Sequence, residues 1–132
     1  MNVKTDTKEK FHVITIGEAS IAANMTEELQ KSLQNHLENN VKNVILNCKD
    51  IRDMDDAAAE TIVKVQQFFY EHNASFVVCC LQQDLEKKLD DAGLLELMNA
   101  TPTESEAWDI IQMEEIEREL MDGDDPPFNL EE

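Results

Sequence analysis

Three short apolar runs alternate with longer amphipathic stretches along the first hundred residues. The runs at 10–16, 43–48 and 74–81 have strand length and are rich in β-branched and aromatic residues. The second and third are almost continuously apolar, which is typical of strands that are covered on both faces of a sheet. The polar segment before position 10 is predicted to pair beside the first run as an edge strand.

Between the runs, apolar residues recur every three or four positions, which predicts helices. The first helix is expected to begin at Asn24, because Asn24 and Glu27 have the spacing of a capping box. Its apolar stripe consists of Met25, Leu29, Leu33, Leu37 and Val41. The second helix is expected over about 56–72, and its apolar face consists of Ala58, Ile62, Val65 and Phe69.

A third helix is predicted over 82–92, where Leu85, Leu89 and Ala92 recur on one side. These three residues are expected to face inward. Gly93 follows the last of them and is expected to supply a left-handed cap, since glycine adopts positive φ without steric cost. A short strand or turn is expected after this helix, near Asn99.

A second capping box, Thr103 with Glu106, predicts the start of a last helix that ends at about Met121. The whole order of elements predicts an α/β sandwich, with a mixed, mostly parallel β-sheet of four to five strands and about four α-helices packed against it. Binding sites of such sheets usually lie at the carboxyl ends of the strands.

Length and composition narrow the class of protein. A chain of 132 residues suits one domain, and three cysteines in apolar surroundings do not make a disulfide framework, so we expect a reduced, cytoplasmic protein. Neither a signal peptide nor an apolar stretch of membrane-spanning length is visible. The net charge of −18 disfavours nucleic acid and membrane surfaces as partners, and a protein partner is expected instead.

The end of the chain is strongly acidic, with nine acidic residues against one base between 113 and 132. We expect residues 1–121 to form the domain and 122–132 to form a disordered acidic tail, because such a composition buries too little apolar area to offset chain entropy. The alternative is a short partner-binding motif in the tail, where Phe128 and Leu130 follow two prolines.

An acidic corner follows the second apolar run, with Asp50, Asp53, Asp55 and Asp56 just before three alanines. Their oxygens could bind Mg²⁺ or Ca²⁺, but the spacing fits no EF-hand loop. An aspartyl phosphate site needs its nucleophile directly at the strand end, where the sequence has Cys48 instead. Acids also cluster where a helix begins, because the helix dipole stabilises them. We expect no catalytic residue, metal site or cofactor here.

The stretch from VKNVILNCKDIRDMDDAAAE to DDAGLLELM resembles the STAS domain, the fold of bacterial anti-sigma factor antagonists. Family members carry a strand ending in LDL, an S-G-V connector and then D-S-S-G at a helix start. This sequence has LNC at 46–48, KDI at 49–51 and DDAA at 55–58. LDDAGL at 89–94 and the TPTESEAWDII segment also fit the family pattern. The resemblance extends over about 11–116.

The resemblance implies a partner and a switch. In the family, an anti-sigma factor that is also a serine kinase of GHKL type phosphorylates the first serine of D-S-S-G, and phosphorylation breaks the complex. Here Asp56 stands at that serine, Ala57 at the second hydroxyl residue and Ala58 at the glycine. Asp56 is thus a degenerate phosphorylation position with a fixed charge, and Thr61, about one turn further along, is a poor substitute. The resemblance is consistent with a permanently phosphorylated-like form and with a partner adapted to an acid at this position.

Two functions are consistent with these observations. The first is a non-enzymatic antagonist in a partner-switching pathway, whose partner-binding residues are Asp53, Asp55, Asp56, Ala57 and Ala58. Its partner would be an anti-sigma factor or a GHKL-type kinase. The alternative is a STAS domain that acts as a structural or assembly subunit of a transporter-associated or stress-sensing complex, with the acidic tail as the contact.

Overall fold

The computed structural model describes residues 1–38 and 41–122 of the chain. Its strands, in chain order, are β1 (Val3–Thr7), β2 (Phe11–Ile16), β3 (Ser20–Ile21), β4 (Asn43–Asn47), β5 (Asp53–Met54), β6 (Phe76–Cys79) and β7 (Ala100–Thr101). Five of them form the main sheet in the order β1-β2-β4-β6-β7, and β3 pairs with β5 in a separate two-stranded sheet.

The main sheet is mixed and mostly parallel. β1 is antiparallel to β2, and the pairs β2–β4, β4–β6 and β6–β7 are parallel. In the register of the three central strands, Val13 lies opposite Ile45 and Ile45 lies opposite Val77. The prediction of a mixed, mostly parallel sheet with an edge strand before the first apolar run is therefore confirmed, and the structure shows that this edge strand is antiparallel.

Four α-helices connect and cover the strands: α1 (Thr26–Gln34), α2 (Asp56–Glu71), α3 (Gln83–Asp91) and α4 (Glu104–Asp122). Short 3₁₀ turns lie at Ala23–Met25, Asn35–Glu38 and Leu95–Leu97. None of the helices in residues 1–38 and 41–122 combines the length and the apolar character that crossing a bilayer requires.

The sheet separates two apolar clusters. The larger cluster packs one face of β2, β4 and β6 against the first three helices, and its helical residues include Leu29, Leu33, Ile62, Val65, Phe69, Leu85 and Leu89. The smaller cluster lies on the other face, where Phe11, Ile45 and Val77 contact Ala107 and Ile111 of α4. Every residue of β4 is buried, which explains why its sequence is apolar without alternation.

The predicted start of the first helix is wrong. α1 begins at Thr26 and its N-cap, Met25, makes no side-chain capping bond, whereas the preceding residues form a 3₁₀ turn. The exposed Asn24 lies within this turn, so it does not act as the cap of the α-helix. The helix is also shorter than its apolar stripe suggests, because the chain passes into a second 3₁₀ turn at Asn35.

The later elements agree better with the sequence. Gly93 has φ of 75°, as predicted for a left-handed cap, and the Thr103 hydroxyl accepts a hydrogen bond from the Glu106 N–H at 3.1 Å. Ala92, however, is exposed rather than inward-facing. β6, the strand of the third apolar run, is also shorter than that run, because Cys80 has left-handed φ of 63° and ends the extended backbone.

The predicted domain boundary lies near the end of the described chain. α4 extends through Asp122, so the first residue of the predicted tail is helical. The remaining tail positions, 123–132, lie outside the residues that the structure describes. A disordered acidic tail therefore stays a prediction.

Candidate functional site

Backbone hydrogen bonds fix the loop after β4 to the loop after β2. The N–H groups of Arg52 and Asp53 donate to the Ala19 carbonyl at 2.7 and 3.1 Å. The Asp55 N–H donates to the Ile21 carbonyl at 2.9 Å, beside the parallel pair of β3 and β5. The two loops consequently form one surface at the carboxyl ends of the central strands.

Buried apolar residues alternate with the aspartates of this surface. Ile51 and Met54 belong to the larger apolar cluster, whereas Asp53 and Asp55 are exposed. Because neighbouring side chains in extended backbone point to opposite sides, burying Met54 directs both flanking carboxylates outward. The acidic corner is therefore a consequence of how its apolar residues are anchored.

Asp55 links the corner to the start of α1. It is the N-cap residue of α2, with extended φ and ψ of −67° and 154°, but its carboxylate makes no capping bond to its own helix. Instead, Asp55 Oδ2 accepts a hydrogen bond from the Ala23 N–H at 2.9 Å. This carboxylate thus holds the 3₁₀ turn before α1 against the start of α2.

Asp53 is paired with a lysine from α3. Lys88 Nζ lies 2.7 Å from Asp53 Oδ1 and also donates to the Met54 carbonyl at 2.9 Å. The hydrogen bond from Lys88 holds the pKa of Asp53 below its usual value. The same bond raises the pKa of Lys88, and the charges of Asp56 and Asp55 add to this effect.

Lys88 is a site residue that the sequence did not reveal. Periodicity places it on the polar side of a predicted helix, where a solvated lysine needs no explanation. Only the packing of α3 beside the start of α2 brings it to the corner, 35 positions after Asp53. No local sequence signal identifies such a contact.

Asp56 differs from its two neighbours. It is the first residue of α2, where the helix dipole favours a negative charge, and it is exposed. Among the residues that the structure describes, its carboxylate has no hydrogen bond and no ion pair. Of the three aspartates predicted to bind a partner, Asp56 is therefore the one whose carboxylate makes no direct contact with the described residues, although its charge contributes to the raised pKa of Lys88.

The alanines after Asp56 are not equivalent. Ala57 is exposed beside it, but Ala58 is fully buried in the larger apolar cluster. The prediction that Ala58 contacts a partner is therefore wrong for its side chain, because close packing of α2 on the sheet covers it. Thr61 is half-buried, and its hydroxyl donates to the Ala57 carbonyl at 2.9 Å within the helix.

The remaining aspartate, Asp50, lies in a different environment. It lines a cavity of about 420 Å³ with Lys4 and Lys49. In residues 1–38 and 41–122, no group of three or more His, Cys, Asp or Glu side chains is arranged to hold a metal ion. The corner itself is an exposed acidic surface in which Asp53 and Asp55 are held by hydrogen bonds and Asp56 is not.

A sandwich of this topology, with an exposed surface at the loops after β2 and β4, defines a small α/β domain with a mixed, mostly parallel sheet. The sequence profile of the STAS domain matches residues 2–107. The chain therefore belongs to the STAS domain family. A comparison with curated protein sequences finds no match.

Solved structures with the same fold include three of different kinds. A putative anti-sigma factor antagonist from Thermotoga maritima is 14% identical, with a TM-score of 0.69 over 83% of this chain and 94% of that one. The Bacillus cell fate determinant SpoIIAA in its phosphorylated form is 15% identical, with a TM-score of 0.59 over 83% and 99%. The murine anion transporter Solute Carrier 26 family member A9 is 10% identical, with a TM-score of 0.65 over 79% and 18%.

Proposed function

We propose that this chain is a non-enzymatic regulatory module that binds a protein partner through the acidic corner, as an anti-sigma factor antagonist does in a partner-switching pathway. The observation that supports this most is the state of Asp56, an exposed carboxylate without a described partner at the start of α2. The binding surface comprises Asp53, Asp55, Asp56 and Ala57. Its partner is an anti-sigma factor or a serine kinase of GHKL type.

In this proposal, Asp56 holds a permanent charge at the position where relatives carry a phosphorylatable serine, and the partner surface is adapted to this acid, since the resemblance implies that a phosphate at this position breaks the complex. A phosphoserine has a charge of about −1.5 to −2 at neutral pH, and an aspartate has about −1. SpoIIAA, which shares the fold, exists in a phosphorylated form. Because Ala57 has no hydroxyl and the Thr61 hydroxyl is bonded within the helix, the corner itself offers no good phosphate acceptor.

The proposal is tested by affinity purification from the native cells, with quantification of what co-elutes. The bait is the full chain, compared with a variant in which Asp53, Asp55 and Asp56 are all replaced by alanine. Glu71→Ala is the matched control, since it removes an exposed acid from the opposite end of α2. A partner that elutes with wild type and control but not with the triple variant supports the proposal.

Equal recovery with all three baits would contradict the proposal, provided that circular dichroism shows the triple variant to be folded. The single substitutions Asp53→Ala and Asp56→Ala keep the test valid if the triple variant is unstable. Neither removes the Asp55 hydrogen bond that joins α1 to α2. The proposal also assigns the protein to the bacterial cytoplasm, which the resemblance to bacterial antagonists supports.

A second candidate function is that of an assembly subunit. The same fold forms part of a murine anion transporter, where the matching region covers 18% of that chain. In this case the acidic tail, rather than the corner, would be the contact. Deletion of residues 122–132 would then abolish partner capture, whereas the triple alanine variant would retain it.

A further inference from the structure

The two halves of α4 contact the sheet in different ways. In the first half, Ala107 and Ile111 are buried in the smaller apolar cluster, with Ile110 packed beside them. This is the usual arrangement of a surface helix, which places its apolar stripe on the sheet. The stripe does not continue into the second half of the helix.

In the second half of α4, charged side chains face the sheet. Glu114 accepts hydrogen bonds from the Tyr70 hydroxyl at 2.8 Å and from the Ser75 hydroxyl at 2.6 Å. Glu115 accepts from the Asn43 side-chain amide at 2.7 Å. Arg118 Nη2 donates to Asn43 Oδ1 at 3.3 Å. These polar contacts fix the inward side of this half at the amino ends of β4 and β6.

Two large apolar side chains of the same half face solvent instead. Met113 and Ile116 are 60% and 58% exposed. Trp108, in the first half of the same helix, is 39% exposed. In the described residues these are three of the four large exposed hydrophobic side chains; the fourth is Leu97. These apolar side chains lie among exposed polar ones, and an exposed apolar patch with a polar rim is typical of a surface that is covered by a partner.

This outward surface belongs to a segment that the family profile does not include. The STAS domain profile ends at residue 107, in the first turn of α4. The profile therefore does not account for the residues of this surface, which follow its last matched position.

We propose that the outward face of α4, formed by Trp108, Met113 and Ile116, is a docking surface for a basic amphipathic helix of a partner protein. The exposed acids around it are Glu106, Asp109, Glu117 and Glu119. The only base of this helix, Arg118, is directed inward. A ligand that covers this face must therefore supply both an apolar stripe and flanking cations.

Charge also decides against a second copy of the chain as the occupant. Two copies would bring the acidic rims of both helices together, and each chain has a net charge of −18. The proposed surface is separate from the acidic corner, which lies at the carboxyl ends of the strands. It thus goes beyond the function proposed above and does not depend on it.

The test uses Trp108, the only tryptophan of the chain, as the reporter. The probe is a tryptophan-free peptide of about 18 residues, five helical turns, with leucines on one side and lysines on the other. We expect a saturable change in Trp108 emission when the full-length protein is titrated. Replacing Met113→Ser and Ile116→Ser together should weaken binding by about tenfold or more.

Two controls make the titration specific. Leu97→Ser removes an equally exposed apolar side chain from the connection between α3 and β7, and it should change the affinity by less than about twofold. A scrambled peptide of the same composition, in which leucines and lysines are not segregated, should bind much more weakly. The isosteric pair Asp109→Asn and Glu117→Gln should weaken binding while leaving the apolar residues in place.

Several results would overturn the proposal. One is the absence of saturable binding, and another is equal affinity of the scrambled peptide or of the Met113→Ser, Ile116→Ser variant. Sedimentation that shows a wild-type dimer dissociated by the same double substitution would assign the face to a second copy. A change of Trp108 emission on deleting residues 123–132 would assign it to the chain's own carboxyl terminus.

Discussion

Three aspartates that look alike in the sequence have three different environments in the fold. Asp53 forms an ion pair with Lys88, and Asp55 accepts a hydrogen bond from the Ala23 N–H. Asp56 is exposed and makes neither kind of contact with the described residues. The first two hold loops and helices together. The third makes no such contact among the described residues, so the three carboxylates of the proposed binding surface are not equivalent.

Asp55→Ala is expected to lower the free energy of unfolding by about 1 kcal/mol, since it leaves the Ala23 N–H without its acceptor. Asp56→Ala should cost less, about 0.3 kcal/mol, because its carboxylate makes no hydrogen bond among the described residues and only its interactions with the helix dipole and with the charge of Lys88 are lost. Urea denaturation of the two variants measures the difference. Equal losses would contradict the distinct roles of these carboxylates.

Lys88→Met is expected to raise the pKa of Asp53 toward its ordinary value, because the hydrogen bond from Lys88 is what lowers it. A carboxyl titration followed by NMR measures this pKa in both proteins. Lys87→Met, which removes the neighbouring lysine on α3, is the control and should leave the Asp53 titration unchanged. If Lys88→Met does not move the midpoint, the ion pair is not formed in solution.

At the scale of elements, the sequence predicted the elements whose residues contact the core repeatedly. α2 was expected over 56–72 and spans Asp56–Glu71, because four of its residues mark one continuous apolar face. The sequence did not predict the start of α1. The 3₁₀ turn before this helix is held by the hydrogen bond from the Ala23 N–H to Asp55, which lies 32 positions away. Long-range polar contacts of this kind leave no periodic signal.

The candidate site was predictable to a similar extent. The corner could be located from the strand end and the helix start, which are local features. Lys88 reaches it only through the packing of α3, and the burial of Ala58 depends on how closely α2 approaches the sheet. The sequence predicts the second half of α4 only as part of a helix. Its polar contacts with Asn43 and Ser75 are long-range and leave no local signal.

Asn43→Ala tests the polar contacts that fix α4 to the sheet. The buried Asn43 side chain accepts from the Ser75 N–H at 2.8 Å and donates to the Lys10 carbonyl and to Glu115. Its loss leaves buried groups without partners, and we expect a destabilisation of about 2–3 kcal/mol. Urea denaturation measures it, and Lys42→Ala, at the exposed neighbouring position, should change stability by less than about 0.5 kcal/mol.

The contact between the second 3₁₀ turn and β2 should make stability depend on pH. The rings of His36 and His12 lie 4.6 Å apart, and His36 Nδ1 is buried with no hydrogen bond from the described residues. Burial, with a further contribution from His12, lowers the pKa of His36 below 6.5. The unfolded chain therefore binds a proton at a higher pH than the folded chain does.

It follows that the free energy of unfolding falls as the pH decreases through 6.5 toward the lowered pKa of His36. We expect wild type to lose more stability between pH 7.5 and about 5.5 than His36→Gln, which cannot titrate there. Urea denaturation at both pH values measures the two losses. A larger loss in the variant would contradict the stated direction of the shift.

The whole molecule has a net charge of −18, so its total charge does not distinguish one binding surface from another. The positions of the two proposed surfaces do distinguish them. The acidic corner lies at the carboxyl ends of the strands, and the second half of α4 is fixed at the amino ends of β4 and β6. Two partners could consequently bind at the same time. Salt should weaken both interactions, because the Debye length at physiological ionic strength is about 8 Å.

We propose that Asp56 replaces a phosphorylatable serine with a permanent charge. Mass spectrometry of wild type and Asp56→Ser, after incubation with ATP and the serine kinase that co-purifies with the protein, tests this replacement. We expect one phosphate at position 56 of the variant and none on wild type. Wild type phosphorylated on another residue, or a variant that takes no phosphate, would contradict it.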